Sequence, residues 1–215
     1  VRMARVLLIL LLLTSAASAG PWPRAEGEGF LSFSLDLDAI EFDNNFVSFY
    51  LEYGLSRDRT LVIDRQERGD EIAKTFAVIR YPIGAPDRKL KLAYDVGIGA
   101  VDDHVAGRLG LSGGSGWSLG LGSGWWAMDS RALLFDDGEN GIVESDITFG
   151  VQLTQRLKVI SQLQTGVPSE GDPYAKIAQS FVLQTSQTRH YLLVVTSGIY
   201  EADDVQINIG LWQDF

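Results

Sequence analysis

The chain has 215 residues, the length of a single domain, and contains no cysteine. It therefore forms no disulfide, holds no cysteine-ligated zinc and offers no thiol nucleophile. Its 18 basic residues stand against 28 acidic ones, giving a formal net charge of −10. This balance argues against nucleic acid as a partner, because nucleic-acid binding needs basic surfaces.

The chain begins with the three parts of a secretory signal peptide. Two arginines precede an unbroken aliphatic run at 6–13, and small residues lead to the sequence ASA at 17–19, which fits an A-x-A cleavage site. A membrane anchor is the alternative, but the run is shorter than the roughly 20 apolar residues that a spanning helix needs. The sequence predicts a signal peptide at 1–19 and one exported domain at 20–215.

The exported part alternates apolar and polar residues with the period of a β-strand. The pattern is clear in LSFSLDLD at 31–38, FVSFYLEYGL at 46–55, LKLAYDVGIGA at 90–100, ESDITFGVQL at 144–153 and VQINIGL at 205–211. We find no long amphipathic helix and no further apolar run long enough for a transmembrane helix. The predicted fold class is all-β, and such a chain can span a membrane only as a closed barrel.

The segments between the strands are of two alternating kinds. Tight turns with Arg, Lys, Ser or Thr are predicted at 56–59, 85–88, 113–116, 154–156 and 185–188. Acidic or Gly/Pro-bearing loops are predicted at 38–45, 66–71, 101–106, 136–141, 166–173 and 200–204. Their strict alternation predicts an antiparallel barrel of about 12 strands with both termini on one side. Counts of 10 or 14 stay open, because the glycine-rich stretch 107–134 admits a differently placed turn.

A soluble β-sandwich or lipocalin-like barrel would alternate in the same way. Three features favour a membrane barrel instead. Charges of both signs, such as Lys91 and Asp95, lie mid-strand on the polar face. Aromatic residues such as Tyr53 and Trp126 gather near strand ends on the apolar face, as interfacial girdles do. The chain also ends on Phe215, which has no obvious use in a soluble fold.

The ending VQINIGLWQDF resembles the C-terminal signature of Gram-negative outer-membrane β-barrels. Ile207, Ile209, Leu211 and Phe215 match the apolar positions of that signature. Gln213 departs from it, since an apolar or aromatic residue is usual there. The resemblance implies that this strand is the signal read by the barrel-assembly machinery.

Two hairpins add to the resemblance. YGLSRDRTLVI at 53–63 is similar to a turn common in small outer-membrane transporter barrels. FGVQLTQRLKVI at 149–160 repeats its pattern, with an aromatic-Gly start, Thr154 and Arg156 at the turn, and then a strand. The resemblance implies a porin-like or transporter-like barrel in the bacterial outer membrane, with both termini in the periplasm. The partners it implies are outer-membrane lipid, lipopolysaccharide and the assembly machinery, and it leaves the oligomeric state open.

The sequence shows no convincing catalytic constellation. His104 lies in the acidic stretch VDDHVAG and is interpreted as a solvated loop residue, and His190 as an interfacial side chain beside a tight turn. Outer-membrane lipid hydrolases need a histidine within hydrogen-bond reach of a serine, and no such pair shares a strand face. We expect no catalytic residues, no dedicated metal site and no cofactor.

The polar face predicts the lining of the barrel, and its charges are of both signs. The ten residues predicted to line the lumen are Glu52, Asp64, Arg80, Lys91, Asp95, Arg131, Glu144, Asp146, Lys158 and Lys176. One function that fits is a small channel or transporter for polar solutes, which would pass along this lining. The alternative is a closed barrel, plugged by ion pairs such as Arg131 with Glu144 or Asp146, that serves as an envelope scaffold or surface-contact protein.

Overall fold

The computed structural model describes six stretches of the chain. These are residues 20–38, 45–69, 71–119, 122–138, 140–202 and 205–215. The predicted signal peptide at 1–19 lies outside them. No helix in the described stretches is long and apolar enough to cross a membrane.

Within the described residues, twelve antiparallel strands close into a barrel. They are β1 (Gly29–Asp38), β2 (Phe46–Ser56), β3 (Arg59–Arg68), β4 (Glu71–Ile83), β5 (Lys91–Val101), β6 (His104–Leu119), β7 (Gly122–Phe135), β8 (Gly141–Gln152), β9 (Leu157–Pro168), β10 (Tyr174–Gln184), β11 (Arg189–Tyr200) and β12 (Val205–Asp214). Each strand pairs with its neighbours in sequence. The barrel closes where β1 pairs with β12, from Phe30 opposite Asp214 to Asp38 opposite Gln206. The predicted all-β fold and the count of 12 are confirmed.

The two ends of the barrel differ. The start of β1, the end of β12 and the connections that follow β2, β4, β6, β8 and β10 lie at one end, here called the terminal end. The connections that follow the odd-numbered strands lie at the other end, here called the loop end. An even number of antiparallel strands requires this arrangement, because each strand reverses the direction of the chain.

The β6–β7 hairpin differs from its prediction. β6 continues to Leu119, so GGSG at 113–116 lies within a strand, and the turn predicted there is wrong. Gly114 allows close packing instead, because a Cβ atom there would stand 2.7 Å from Cη2 of Trp22. A glycine run that suits a turn also suits a strand that another group approaches closely.

The predicted acidic loop at 101–106 is a two-residue turn. β5 ends at Val101 and β6 begins at His104. The residues between them, Asp102 and Asp103, have φ angles of 44° and 69°. This left-handed conformation is one that Asp tolerates better than most residues. The acidic character was predicted correctly and the loop length was not, because the strands extend further than their alternation indicated.

The outer face of the barrel wall is apolar. Large hydrophobic side chains point outward and are widely exposed, among them Ile98 at 63%, Leu111 at 59%, Phe149 at 58% and Ile209 at 56%. A soluble monomer rarely exposes contiguous apolar surface of this extent, whereas a bilayer core accepts it. The face predicted to be apolar is thus the one that would meet lipid.

The inner face is only partly polar. One apolar cluster lies on β3, β4, β6 and β7 and comprises Val62, Phe76, Val78, Ala106 and Leu133. A second lies on β7, β9, β10 and β11 and comprises Trp125, Ile160, Val182 and Leu192, with Trp212 packed against it. Inside a membrane barrel these clusters fill space that would otherwise hold water. They decide how much of the lumen stays open.

Candidate functional site in the barrel lumen

A cavity of about 650 Å³ lies at the loop end of the lumen, and we call it the vestibule. Two aromatic residues, Phe46 and Tyr174, contribute to a lining that is otherwise mostly polar. Within the described residues its charged side chains are five carboxylates and three cations: Asp36, Glu144, Asp146, Asp172, Glu201, Lys74, Arg131 and Lys176. The vestibule therefore carries an excess of negative charge.

Arg131 on β7 organises one wall of the vestibule. Its Nε donates to Glu144 Oε2 at 2.6 Å and its Nη1 donates to Asp146 Oδ2 at 3.0 Å. The Tyr174 hydroxyl donates to the other Glu144 oxygen at 3.1 Å, and the Lys176 ammonium lies 5.9 Å from the Tyr174 ring centroid. The two carboxylates share one guanidinium, which holds this wall rigidly, and the Lys176 ammonium beside Tyr174 brings its formal charges into balance.

A second charged group links β3, β4, β5 and β6. Lys74 Nζ lies 2.8 Å from Asp64 Oδ2, and Arg108 Nη1 lies 3.8 Å from the same oxygen. Arg108 Nε lies 3.4 Å from Asp95 Oδ1. The four side chains alternate in sign around the wall, so their charges balance.

Asp36 on β1 has neutral partners only. It accepts hydrogen bonds from the Ser48 hydroxyl at 2.7 Å and from the Asn208 amide, which also donates to Ser34 Oγ at 2.8 Å. Its negative charge thus has no cationic partner within the described residues. It adds to the negative potential of the vestibule.

The terminal half of the lumen contains a buried ion cluster. Glu52 is fully buried and lies 2.7 Å from both Arg80 Nη1 and Arg24 Nε. The Tyr50 hydroxyl donates to Glu52 Oε1 at 2.7 Å. Two guanidinium groups and one hydroxyl thus saturate a single carboxylate. A buried charge of this kind is tolerated only with such partners.

The chain that precedes β1 also lies inside the barrel. The Gly20 carbonyl accepts a hydrogen bond of 2.8 Å from Arg80 Nη1, and the Pro21 side chain is fully buried. Trp22 packs against the apolar cluster around Trp125. These residues and the ion cluster occupy the terminal half, whereas the vestibule lies at the loop end.

The continuous register of paired strands places all ten predicted lumen residues on the inward face, although the structure does not bring them into one site. Arg131, Glu144 and Asp146 meet as the sequence predicted. The Lys91 ammonium instead donates to the Pro86 carbonyl in the turn after β4. Lys158 is buried, with 6% exposure.

The inward residues missing from the predicted set include Trp22, Arg24, Lys74 and Tyr174. The alternation of β4 could have identified Lys74, because it shares the parity of Arg80. Tyr174 likewise shares the parity of Lys176 on β10. No periodic signal marks Trp22 and Arg24, which lie before β1.

His104 is solvent-exposed beside the β5–β6 turn, as interpreted, although it belongs to a strand, whereas His190 does not lie where its interpretation placed it. His104 is the first residue of β6. Its ring packs edge-on against Phe135, with 6.5 Å between the ring centroids. His190 is 2% exposed, points inward and packs near Trp212, so the prediction of an interfacial side chain is wrong. Its Nδ1 finds no hydrogen-bond partner in the described structure. Neither ring bonds to a serine within the described residues.

The C-terminal strand presents its apolar residues outward. Ile207 and Ile209 are exposed, and the ring of Phe215 lies over Gly29, where a Cβ atom would stand 2.2 Å from Phe215 Cζ. The backbones of Phe215 and Gly29 exchange two hydrogen bonds. Recognition of Ile207, Ile209, Leu211 and Phe215 by an assembly machinery stays a prediction.

Comparison with known proteins gives structural similarity only. The chain matches no protein-family model and no curated protein sequence. Among solved structures it is similar to the KdgM porin, with a TM-score of 0.66 and 9% identity over 86% of this chain and 99% of the other.

Two further solved structures are similar. The NanC porin has a TM-score of 0.67 and 8% identity over 84% of this chain and 98% of the other. An outer-membrane channel from Pseudomonas putida F1 has a TM-score of 0.57 and 8% identity over 94% and 100%. Identities this low speak to fold and not to ligand. The chain therefore has the fold of a twelve-strand outer-membrane porin barrel.

Proposed function

We propose that the protein is an outer-membrane channel for small polar solutes, with the vestibule facing the cell exterior and both termini facing the periplasm. The observation that carries the proposal is the vestibule itself: a charged cavity of about 650 Å³ inside a closed barrel whose outer face is apolar. A scaffold has no need of a cavity lined by charges, whereas a channel uses one to gather solutes from water.

The charge balance of the vestibule favours cationic and neutral solutes over anions. Five carboxylates face three cations there, and Asp36 has neutral partners only. KdgM has been solved in complex with disordered oligogalacturonate. We do not extend that ligand to this chain, because an excess of negative charge disfavours an anionic solute.

A closed barrel that acts as a scaffold is the second candidate. It is favoured by the filled terminal half, where Glu52, Val62 and Val182 are all 0% exposed. A lipid hydrolase has less support, since neither histidine bonds to a serine within the described residues. The two leading candidates differ in one measurable property, which is ionic current.

The test is single-channel recording in planar bilayers with a salt gradient, using the chain from Gly20 onward, folded in detergent. We expect stepwise currents with a reversal potential that indicates cation preference. Asp172→Asn with Glu201→Gln should shift that potential toward anions, because both carboxylates line the vestibule.

Asp103→Asn is the matched control. This carboxylate is exposed in the β5–β6 turn at the loop end, does not line the vestibule, and Asn accepts the same left-handed backbone. The control should leave the reversal potential unchanged. A folded barrel that inserts but passes no current, even without the segment at 20–25, would overturn the channel proposal in favour of the scaffold.

A further inference from the structure

We propose that residues Gly20–Arg24 form a displaceable plug that closes the terminal half of the lumen. The regulatory meaning of this inference rests on the proposed channel function, but the presence of the plug can be tested without any current. The argument depends on how these five residues are held.

The innermost part of the segment is enclosed by the wall. Pro21 is fully buried, and the Gly20 carbonyl accepts from Arg80, whose own exposure is 4%. A Cβ atom built on Gly20 would stand 3.5 Å from the Cβ of Ala127 on β7. The segment therefore reaches the opposite side of the lumen from the strand that it precedes.

Trp22 packs where small wall residues leave space for its indole ring. Gly114 on β6 lacks the Cβ that would come within 2.7 Å of the indole, and Ala127 on the next strand is small and completely buried. The apolar cluster around Trp125 supplies the rest of the contact. A glycine in the middle of a sixteen-residue strand weakens that strand, so its presence has a packing reason.

Arg24 fastens the outer part of the segment. Its Nε donates to Glu52 at 2.7 Å, its Nη1 lies 3.6 Å from Asp214 Oδ1, and its guanidinium carbon lies 4.9 Å from the Phe30 ring centroid. Its backbone N–H donates to the Thr60 hydroxyl at 3.1 Å. These contacts join the segment to β1, β2, β3 and β12.

The segment is nevertheless not part of the sheet. Pro21 and Pro23 have no N–H to donate. The hydrogen bonds that hold the backbone of residues 20–24 in the described structure come from the side chains of Arg80 and Thr60. Backbone pairing to the wall begins at Gly27, which donates to the Gly54 carbonyl. Residues 20–24 can therefore leave the lumen without breaking the strand ladder, and closure becomes a reversible state.

The first experiment compares the chain that begins at Gly20 with one that begins at Glu26, both folded in detergent and recorded in planar bilayers. We expect the shorter chain to show at least a tenfold larger mean current. Removing the packed Trp22 side chain and the Arg24 contacts should shift the equilibrium from the closed to the open state by on the order of a hundredfold or more. Equal currents in two conducting chains would overturn the plug.

A reversible lock tests the same idea in the complete segment. Because the chain has no cysteine, Gly20→Cys with Ala127→Cys creates a single pair at a Cβ separation suited to a disulfide. The indole of Trp22 must shift slightly to admit the new side chain. Oxidation should abolish the current and reduction should restore it. Current that survives complete oxidation would contradict the proposal.

Labelling separates failure of the plug from failure of the channel. Ala127→Cys alone, in the long and the short chain, is exposed to a membrane-impermeant maleimide. If neither chain conducts, the channel function fails, but faster labelling in the short chain still supports a plug. Equal labelling rates in two folded, heat-modifiable barrels would overturn it.

Discussion

Glu52→Gln is the substitution that best tests how the lumen is held together. Glu52 is fully buried and is the shared anion of Arg80 and Arg24, each at 2.7 Å. Glutamine keeps the shape and can still accept from the Tyr50 hydroxyl. It removes the only charge, however, that faces both guanidinium groups at hydrogen-bond distance in the described structure. The site would then hold two buried cations without an anion between them.

The size of the effect follows from that geometry. Removing one partner of a buried ion pair costs about 3–5 kcal/mol, because the remaining charge stays desolvated and uncompensated. The retained amide hydrogen bonds favour the lower part of this range. We therefore expect Glu52→Gln to lower the free energy of unfolding by about 3 kcal/mol, roughly a hundredfold in the unfolding equilibrium constant.

Urea unfolding of the chain from Gly20 onward in lipid vesicles, followed by tryptophan fluorescence, measures this loss. The matched control is Glu67→Gln, which breaks the ion pair with Arg65, where both side chains are almost 40% exposed. An exposed pair contributes at most about 1 kcal/mol. If the two variants lose the same stability, the buried ion cluster contributes no more than an exposed ion pair, and the reasoning is refuted.

Two other substitutions probe the wall and the vestibule. Gly99→Ala should destabilise the barrel by about 1–3 kcal/mol, because its Cβ would stand 2.0 Å from the Thr75 carbonyl oxygen. The control is Gly107→Ala, whose Cβ would meet nothing closer than 4.0 Å. It should cost much less stability in the same unfolding assay. Arg131→Gln leaves Glu144 and Asp146 without their cation. It should raise cation selectivity, a shift opposite in sign to that of the vestibule carboxylate variants and smaller at high ionic strength; an anion-directed shift would contradict the assigned lining.

The alternation of apolar and polar residues determined most of the fold. A one-residue slip in register exchanges the two faces of a strand. Only one register therefore keeps the apolar residues of the wall against lipid. This is why the sequence alone places Arg131, Glu144 and Asp146 on neighbouring strands and in one ion-paired group. The number of strands and the residues that face inward both follow from patterns within short stretches of the sequence.

The remaining features depend on contacts between distant parts of the chain. GGSG at 113–116 has the composition of a turn, but within the strand a Cβ atom on Gly114 would stand 2.7 Å from both the Trp22 ring and the Trp126 carbonyl oxygen. The role of Arg24 depends likewise on Glu52, 28 residues away. Neither relationship leaves a periodic trace in the sequence, because the segment that contains Trp22 and Arg24 is not a strand.

The choice between a channel and a scaffold cannot be made from the number of strands. Eight strands leave room only for side chains, and 16 to 18 leave an aqueous pore. A barrel of 12 lies between these limits, so the size of the inward side chains decides its bore.

The loop half carries mostly polar side chains and keeps a cavity of about 650 Å³. The terminal half carries Trp125 and Trp212 and also admits Trp22 from outside the sheet. Removing a few residues that belong to no strand would change this bore while every strand pair stays in place. The current through the shortened chain therefore distinguishes a wall that is closed by its own side chains from one that is closed by a segment able to leave.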